Sequence, residues 1–404
     1  MRKIKLHWQI LIALILSVIF GIYFTEYVEY VTWMGDVFLR ALRMIIVPLI
    51  FSSIVTGVTG IGSGKNLGRM GFKTILYYLS TSFFAIFTGL FLVNLIKPGV
   101  GANLGLTMEV TGIDITEQSF GQTLMNIIPE NIVDAMVRGD MLSIIFFAVL
   151  FGFFATQVPV QFRNTIENGF KAIFEVMMKI TMFVIKFTPI GIFGIVSGIV
   201  AEHSDNLIEV FGRMGMYMLT VIAALAIHSM ITLPLILRFI GNVNPVKHVK
   251  GMSVPLLTAF STSSSNATLP LTMEAVEFNS GVSTKTTGFV LPLGATVNMD
   301  GTALYECVAV LFIAQAYGVE LTLLQQGIVV LTALLASIGA AGIPMAGLVI
   351  ITIILSAVGL PMEGVGLILA VDRVLDMFRT TVNVWSDSCG ATVIAKTEGE
   401  VLKV

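Results

Sequence analysis

Ser261-Thr262-Ser263-Ser264-Ser265-Asn266-Ala267-Thr268 interrupts the apolar sequence between Lys250 and Lys285, and Ser337-Ile338-Gly339-Ala340-Ala341-Gly342-Ile343-Pro344 interrupts the uncharged run from Leu321 to Met362. A helix needs about 20 apolar residues to cross the hydrocarbon of a bilayer. The segment between the two lysines is too short for two crossings. Both interrupted segments therefore predict re-entrant hairpins whose tips end inside the membrane. Non-helical backbone at that depth survives only where protein buries it or where it lines a wet cavity.

The rest of the chain agrees with a membrane setting. Of 404 residues, 56% are apolar and 12% charged, with a mean hydropathy of +0.92; soluble domains carry about 25% charged residues. Long charge-free stretches recur at Trp8–Thr25, Met44–Gly64 and Thr74–Ile96. The composition predicts an all-α polytopic membrane protein. The net charge is −2 and no basic tract follows Arg2, Lys3 and Lys5, which argues against nucleic acid as a partner. Cys307 and Cys389 offer neither a disulfide framework nor metal-ligand spacing, and His7, His203, His228 and His248 are scattered. No small-residue cleavage site follows Phe24, so the first apolar run reads as a retained helix.

Basic residues concentrate on cytoplasmic loops, which orients the spans. Arg2, Lys3 and Lys5 place the amino terminus inside, and spans at about 7–25, 36–61, 74–96, 141–157, 173–200 and 214–240 lead back to Lys247 and Lys250 inside. The first hairpin, with its tip at 261–270, enters from the cytoplasm. A seventh span at 285–318 exits at Glu320, the second hairpin, tip 337–347, enters from outside, and an eighth span at 364–395 ends inside at Lys396. Eight spans and two hairpins of opposite entry form an inverted repeat. Repeats with interrupted segments are the signature of secondary transporters, whose sites lie near the midplane.

The eighth span holds Asp372, Asp376, Arg379, Asn383 and Asp387. At 100° per residue these lie within an arc of about 80°. Ionisable groups at such depth mark substrate or ion pathways by default, and the structural alternative is an i,i+3 ion pair between Asp376 and Arg379. A guanidinium suits a carboxylate and a carboxylate suits an ammonium group, so Arg379 and Asp376 together fit one acidic amino acid. Hydroxyls and amides of the first tip, with Thr302, would serve its α-carboxylate. In the seventh span, Asn298, Asp300 and Thr302 cluster around Gly294 and Gly301. Glycine there disfavours a continuous helix and frees carbonyls; with Asn383 and Asp387 this predicts a hard-cation site, against a glycine kink with satisfied polar groups. Tyr77, Tyr78, Ser80, Thr81 and Ser82 in the third span read equally as interhelical hydrogen bonders. Gly62-Ser63-Gly64-Lys65 lacks the leading glycine and the Ser or Thr of a P-loop.

The serine-rich tip ending Thr268-Leu269-Pro270, the run Leu291 to Thr302, the tip Ala336 to Pro344, and Asp376 to Asn383 with Asp387 resemble the glutamate transporter homologue family, the dicarboxylate/amino acid:cation symporters. The resemblance covers nearly the whole chain, to Lys396. It implies a homotrimer in which residues 1–72 and 98–201 form a scaffold, while 73–97 and 202–404 form a transport domain that moves like an elevator. It implies that Arg379 holds the substrate's side-chain carboxylate and Asp376 its amino group, with Ser264, Ser265, Thr302, Gly342, Ile343, Thr380 and Asn383 completing the substrate site. Sodium sites map onto Gly294, Asn298, Asn383 and Asp387; onto Thr296, Met299 and the carbonyls of Ser337, Ile338 and Ala340; and onto Tyr78, Thr81, Ser82, Asn298 and Asp300. Relatives carry an arginine where Ser263 or Met377 stands here, which leaves potassium counter-transport open, with Arg373 a turn away. Ala340 and Met345 replace a threonine and a glycine frequent in the second tip. Relatives that use protons and dicarboxylates tend to lack the aspartates matching Asp376 and Asp387, and neutral amino acid relatives lack the arginine.

The expected function is thus sodium-coupled symport of L-aspartate or L-glutamate by a multi-pass protein of a prokaryotic inner membrane with both termini cytoplasmic. Proton-coupled glutamate or C4-dicarboxylate symport is the alternative. An intramembrane aspartyl protease using Asp300 and Asp387 leaves Arg379 without a role, and a passive anion channel is permitted by the repeat alone.

Overall fold

The computed structural model describes residues 6–60, 65–101, 128–202, 207–339 and 346–404. Among them every regular element is helical. In chain order these are α1 (Leu6–Tyr23), α2 (Glu29–Gly60), α3 (Lys65–Ile96), α4 (Ile132–Arg138), α5 (Met141–Ala155), α6 (Val160–Ile185), α7 (Thr188–Glu202) and α8 (Leu207–Ile227). They continue with α9 (Leu233–Phe239), α10 (Pro245–Gly251), α11 (Ser253–Thr262), α12 (Ser265–Ala275), α13 (Thr284–Val297), α14 (Asp300–Ala316), α15 (Leu323–Gly339), α16 (Ala346–Ala357) and α17 (Val365–Thr397).

Among the described residues, four continuous or nearly continuous helices, Glu29–Thr59, Arg69–Ile96, Phe211–Phe239 and Thr284–Ala316, are long and apolar enough to cross a bilayer. A fifth crossing is available if α6 and α7 count as one span bent by 52°. The sequence places that span at 173–200, whereas the helix starts at Val160 and bends after Ile185. Pro189 supplies the reason: it has no N–H for the carbonyl of Ile185, so the ladder cannot continue straight through.

The first hairpin is visible as α11 and α12, which end and restart around Ser263 and Ser264. Ser263 closes α11 in the left-handed region at φ 51°, and the Ser264 hydroxyl accepts from Ala267 N at 3.2 Å to cap α12. Phe260 rests edge-on against Phe378 at 5.2 Å, which seats the hairpin on α17. The segment expected to form the second hairpin carries α15 and α16, and residues 340–345 of its expected tip lie outside the described residues.

Two sets of packing partners are evident. Helix α2 packs on α5, α6 and α7, with α1 on α7; α3 packs on α14, and α17 on α11, α13 and α14. Helix α14 runs through the middle, with Asp300 through Ala314 all buried. A helix apolar and buried all round belongs to the interior of a protein. By contrast, Phe83, Phe84, Phe87 and Phe91 of α3 are exposed, as a lipid-facing stripe would be.

Candidate functional site

The site begins at the gap between α13 and α14. Asn298 and Met299 leave helical geometry, while Asn298 N still reaches Gly294 O at 2.8 Å and Ala303 N reaches Met299 O at 2.8 Å. The break therefore falls between Gly294 and Gly301, not on them. Each glycine instead permits a close approach. A β-carbon on Gly294 would lie 2.5 Å from Asp387 Oδ1 and 2.6 Å from Tyr78 Oη, and one on Gly301 would lie 2.6 Å from the Arg379 carbonyl.

Around this break, oxygen ligands from three helices converge. Asp300 is fully buried; its Oδ1 accepts from Ser82 Oγ at 2.6 Å and Thr81 Oγ1 at 3.3 Å, and its Oδ2 accepts from Ser386 Oγ at 2.6 Å. Asn298 donates to Asp387 Oδ1 at 2.9 Å and Ser386 Oγ at 3.0 Å, and its carbonyl oxygen lies 3.4 Å from the Thr81 hydroxyl. Tyr78 Oη donates to Val290 O at 2.8 Å. Asn383 accepts from Gly301 N at 2.8 Å and donates to Thr302 Oγ1 at 3.1 Å and Met299 Sδ at 3.3 Å. Carboxylates, amide oxygens, hydroxyls and interrupted carbonyls are the donors that hard monovalent or divalent cations take.

One turn up α17 lies the basic group. Arg379 is buried, and its Nη2 meets Asp376 Oδ1 at 2.8 Å and Asp372 Oδ1 at 3.2 Å. Its Cζ sits 4.0 Å above the Tyr305 ring, whose hydroxyl donates to Asp372 Oδ1 at 2.7 Å. The i,i+3 pair expected from sequence is present. It does not exhaust the guanidinium: Nε and Nη1 are buried with no hydrogen-bond partner among the described residues. Buried donors left unpaired cost free energy, so two donors stand ready for an anion. Gly347 of α16 lies against this group, since a β-carbon there would collide with Arg379 Nη1. Arg373 reaches Asp376 Oδ2 at 3.4 Å.

The expected residues divide into three groups. Tyr78, Thr81, Ser82, Gly294, Asn298, Asp300, Thr302, Asp376, Arg379, Asn383 and Asp387 meet in one buried region. The sulfur of Met299 joins them through Asn383, and Thr380 is buried on the same helix. Thr296 is exposed and returns its hydroxyl to Leu293 O at 2.9 Å, Ser337 returns its own to Leu334 O at 2.9 Å, and Ser264 caps its helix, so these three are not brought in by their side chains. Ser265 is half-buried behind the tip. Ala340, Gly342, Ile343 and Met345 lie outside the described residues, and of Ile338 only the helical backbone is described.

Five further residues belong to the region. Ser386 bridges Asn298 and Asp300, and Tyr305 and Asp372 brace Arg379. His228, in a π-helical turn at His228–Thr232, places Nε2 3.1 Å from Asp300 Oδ2. Pro234 cannot bond the Met230 carbonyl, which accounts for the slipped ladder there. Glu306 is fully buried and neither carboxyl oxygen has a partner among the described residues. Both His228 and Glu306 interrupt apolar runs, and that position alone was the available signal.

A buried arginine with spare donors beside a cage of hard oxygens, built on broken helices, defines an ion-coupled carrier of anions. The sequence profile of the sodium:dicarboxylate symporter family matches residues 6–397, and the chain belongs to that family. It is 36% identical to the proton/sodium-glutamate symport protein of Geobacillus stearothermophilus, over 99% of this chain and 96% of that one. It is 34% identical to the proton/glutamate-aspartate symporter of Escherichia coli (strain K12), over 98% and 93%. Identity to excitatory amino acid transporter 3 of Homo sapiens is 36%, over 98% of this chain and 86% of that protein.

Proposed function

We propose that this protein is a sodium-coupled symporter of acidic amino acids and has no enzymatic activity. The observation that carries the reading is Arg379, held by Asp372 and Asp376 yet left with two donor atoms unpaired among the described residues, about two turns before Asp387 of the Asp300, Asn298 and Asp387 oxygen cluster. The guanidinium receives the side-chain carboxylate of aspartate or glutamate and Asp376 receives the amino group. The first hairpin tip, Thr302 and Asn383 close around the remaining carboxylate. Sodium ions are co-transported cargo at the Asp387 and Asp300 clusters. The names of the relatives, which couple glutamate or aspartate to protons or sodium, support the substrate class.

The same reading gives eight spans and two hairpins in a plasma membrane, both termini cytoplasmic, three copies per assembly. The packing of α1, α2 and α5–α7 on one another supports a scaffold of residues 1–72 and 98–201, and the packing of α3 with α14 and α17 supports a transport domain of 73–97 and 202–404. A second reading, proton coupling with the same substrate, rests on Glu306: a carboxyl group buried without a partner is relieved by a proton. Labelled L-aspartate uptake into proteoliposomes decides between them. Accumulation driven by an inward sodium gradient at equal pH supports the first reading, and accumulation driven only by an inward proton gradient replaces it with the second.

A further inference from the structure

Beside the base of the first hairpin, away from the arginine and the oxygen cluster, lies a cavity of about 750 Å³ between α10, the start of α11, the end of α12 and the segment after α17. Its volume falls within the range of about 300–1,000 Å³ typical of small-molecule sites. Lys247 and Lys250 of α10 and Lys403 line it. Lys247 and Lys250 are exposed and neither forms an ion pair among the described residues, while Lys403 Nζ is donated to Phe278 O at 3.0 Å. Against these three cations stands one acidic side chain, Glu274 of α12, with Val404, the last residue of the sequence, also on the lining beside Lys403. Asn244 anchors the helix that carries the two lysines: its side chain caps α10 by accepting from Val246 N at 3.0 Å and Lys247 N at 3.2 Å.

The other wall is apolar and open. Val254 is 61% exposed and Phe278 67%, and both line the cavity; Leu257, one turn further along α11, is 68% exposed. In a membrane protein, such side chains at the foot of a hairpin that descends into the bilayer face acyl chains. A cationic rim above an apolar wall matches a phospholipid and does not match a bare soluble anion, which would leave the apolar wall in water. Basic pockets between membrane helices recognise anionic headgroups by this division of labour.

We propose that this cavity binds one anionic phospholipid per protomer, with its phosphate on Lys247 and Lys250 and an acyl chain along Val254 and Phe278. The inference rests on the chain spanning a membrane and is independent of which solute it carries. Because the cavity touches α10 and both arms of the hairpin, the bound lipid ties these three segments together.

The test is native mass spectrometry of the purified full chain in detergent with added phosphatidylglycerol or phosphatidylcholine, read alongside melting temperature. Phosphatidylglycerol should be retained in preference to phosphatidylcholine. Two lysines near a membrane surface correspond to about a 30-fold difference in affinity, so K247Q/K250Q should lose most of that preference. K285Q, a basic residue outside the cavity, should keep it. Glu274→Gln removes the opposing charge and should strengthen retention, a gain that a damaged fold would not produce. The proposal is overturned if K247Q/K250Q binds phosphatidylglycerol as the parent does, if Glu274→Gln weakens it, or if phosphatidylcholine is held equally well. Displacement by millimolar inorganic phosphate would also overturn it, because the site would then read a free anion. None of these results depends on solute uptake, so failure here is separable from failure of the proposed transport activity.

Discussion

Gly294→Ala tests the cation site at its tightest point. The added methyl would stand 2.5 Å from Asp387 Oδ1, 2.8 Å from Asp387 Cγ and 2.6 Å from Tyr78 Oη. All three distances are below the van der Waals approach of real β-carbons, so the carboxylate and the phenol must both move. Tyr78 is tied to Val290 O and Asp387 to Asn298, and both side chains are buried, so the movement meets packed neighbours. Overpacking of this kind costs about 1–3 kcal/mol. If the strain is felt by the ion-bound state, sodium affinity falls about 5- to 150-fold. The assay is the sodium dependence of L-aspartate uptake at saturating substrate, with sodium-induced thermal stabilisation of the detergent-purified protein as a second readout. A rightward shift in both, with the protein still folded, is expected. An unchanged sodium dependence with Ala in place would refute the placement of a cation beside Gly294 and Asp387.

Other residues give independent tests. Arg379→Gln leaves Asp372 buried without its cation and Asp376 with Arg373 alone, which should destabilise the protein by about 3–5 kcal/mol and reduce acidic amino acid uptake; a normal melting temperature with normal uptake would remove Arg379 from the site. Asn383→Ala, which severs Gly301 N from Thr302, should shrink the ratio between aspartate affinities at high and low sodium; an unchanged ratio would deny Asn383 a linking role. His248, bonded to Ser280 at 2.8 Å and Ser388 at 3.2 Å, is held down to a pKa of about 4 by burial, against a partly compensating hydrogen bond. The unfolded chain then binds the extra proton first, so stability is full above about pH 6.5 and falls by about 3 kcal/mol toward pH 4. His248→Asn should flatten the melting profile across that window. Glu398, bonded to Arg69 and Lys73, has its carboxyl lowered to about 2, so its contribution is present above about pH 4.5 and disappears as pH falls through 2. Arg69 is 73% exposed, so Glu398→Gln should cost less than about 1 kcal/mol and nothing measurable in high salt.

What the sequence could and could not convey follows from the kind of signal involved. The interruption at Ser263 and Ser264 was readable because polar residues inside apolar sequence have few physical meanings, and the α17 stripe was readable because helical period fixes which residues share a face. The bend before α7 was also present, in Pro189, but a hydropathy window averages over a single proline. Glycine was read for its backbone freedom, whereas Gly294 and Gly301 remain helical and matter for the volume they leave empty. That distinction depends on what packs opposite, which no local pattern contains. The roles of His228 and Ser386 were not legible for the same reason, although His228 stands out in its apolar run: they come from Asp300, distant in sequence and adjacent only after folding.

The geometry also bears on why ions and substrate would move together. Asp300 and Asp387 are fully or nearly fully buried, Asp376 and Asp372 lie about three and four turns before Asp387 on the same helix, and Arg379 is the buried permanent cation among them. Burial of unmatched carboxylates is expensive, and a further carboxylate entering beside them is opposed by the same field. Cations at the proposed Asp300 and Asp387 sites would neutralise that field for an incoming anion. They would also fix the partners of the substrate region, because Asn298 is bonded to Asp387, and Asn383, one turn along the same helix, is bonded to Thr302 and to Gly301, which packs on the Arg379 backbone. Charge and shape thus act in the same direction, and by thermodynamic reciprocity an anion that binds better with sodium present must make sodium bind better in turn.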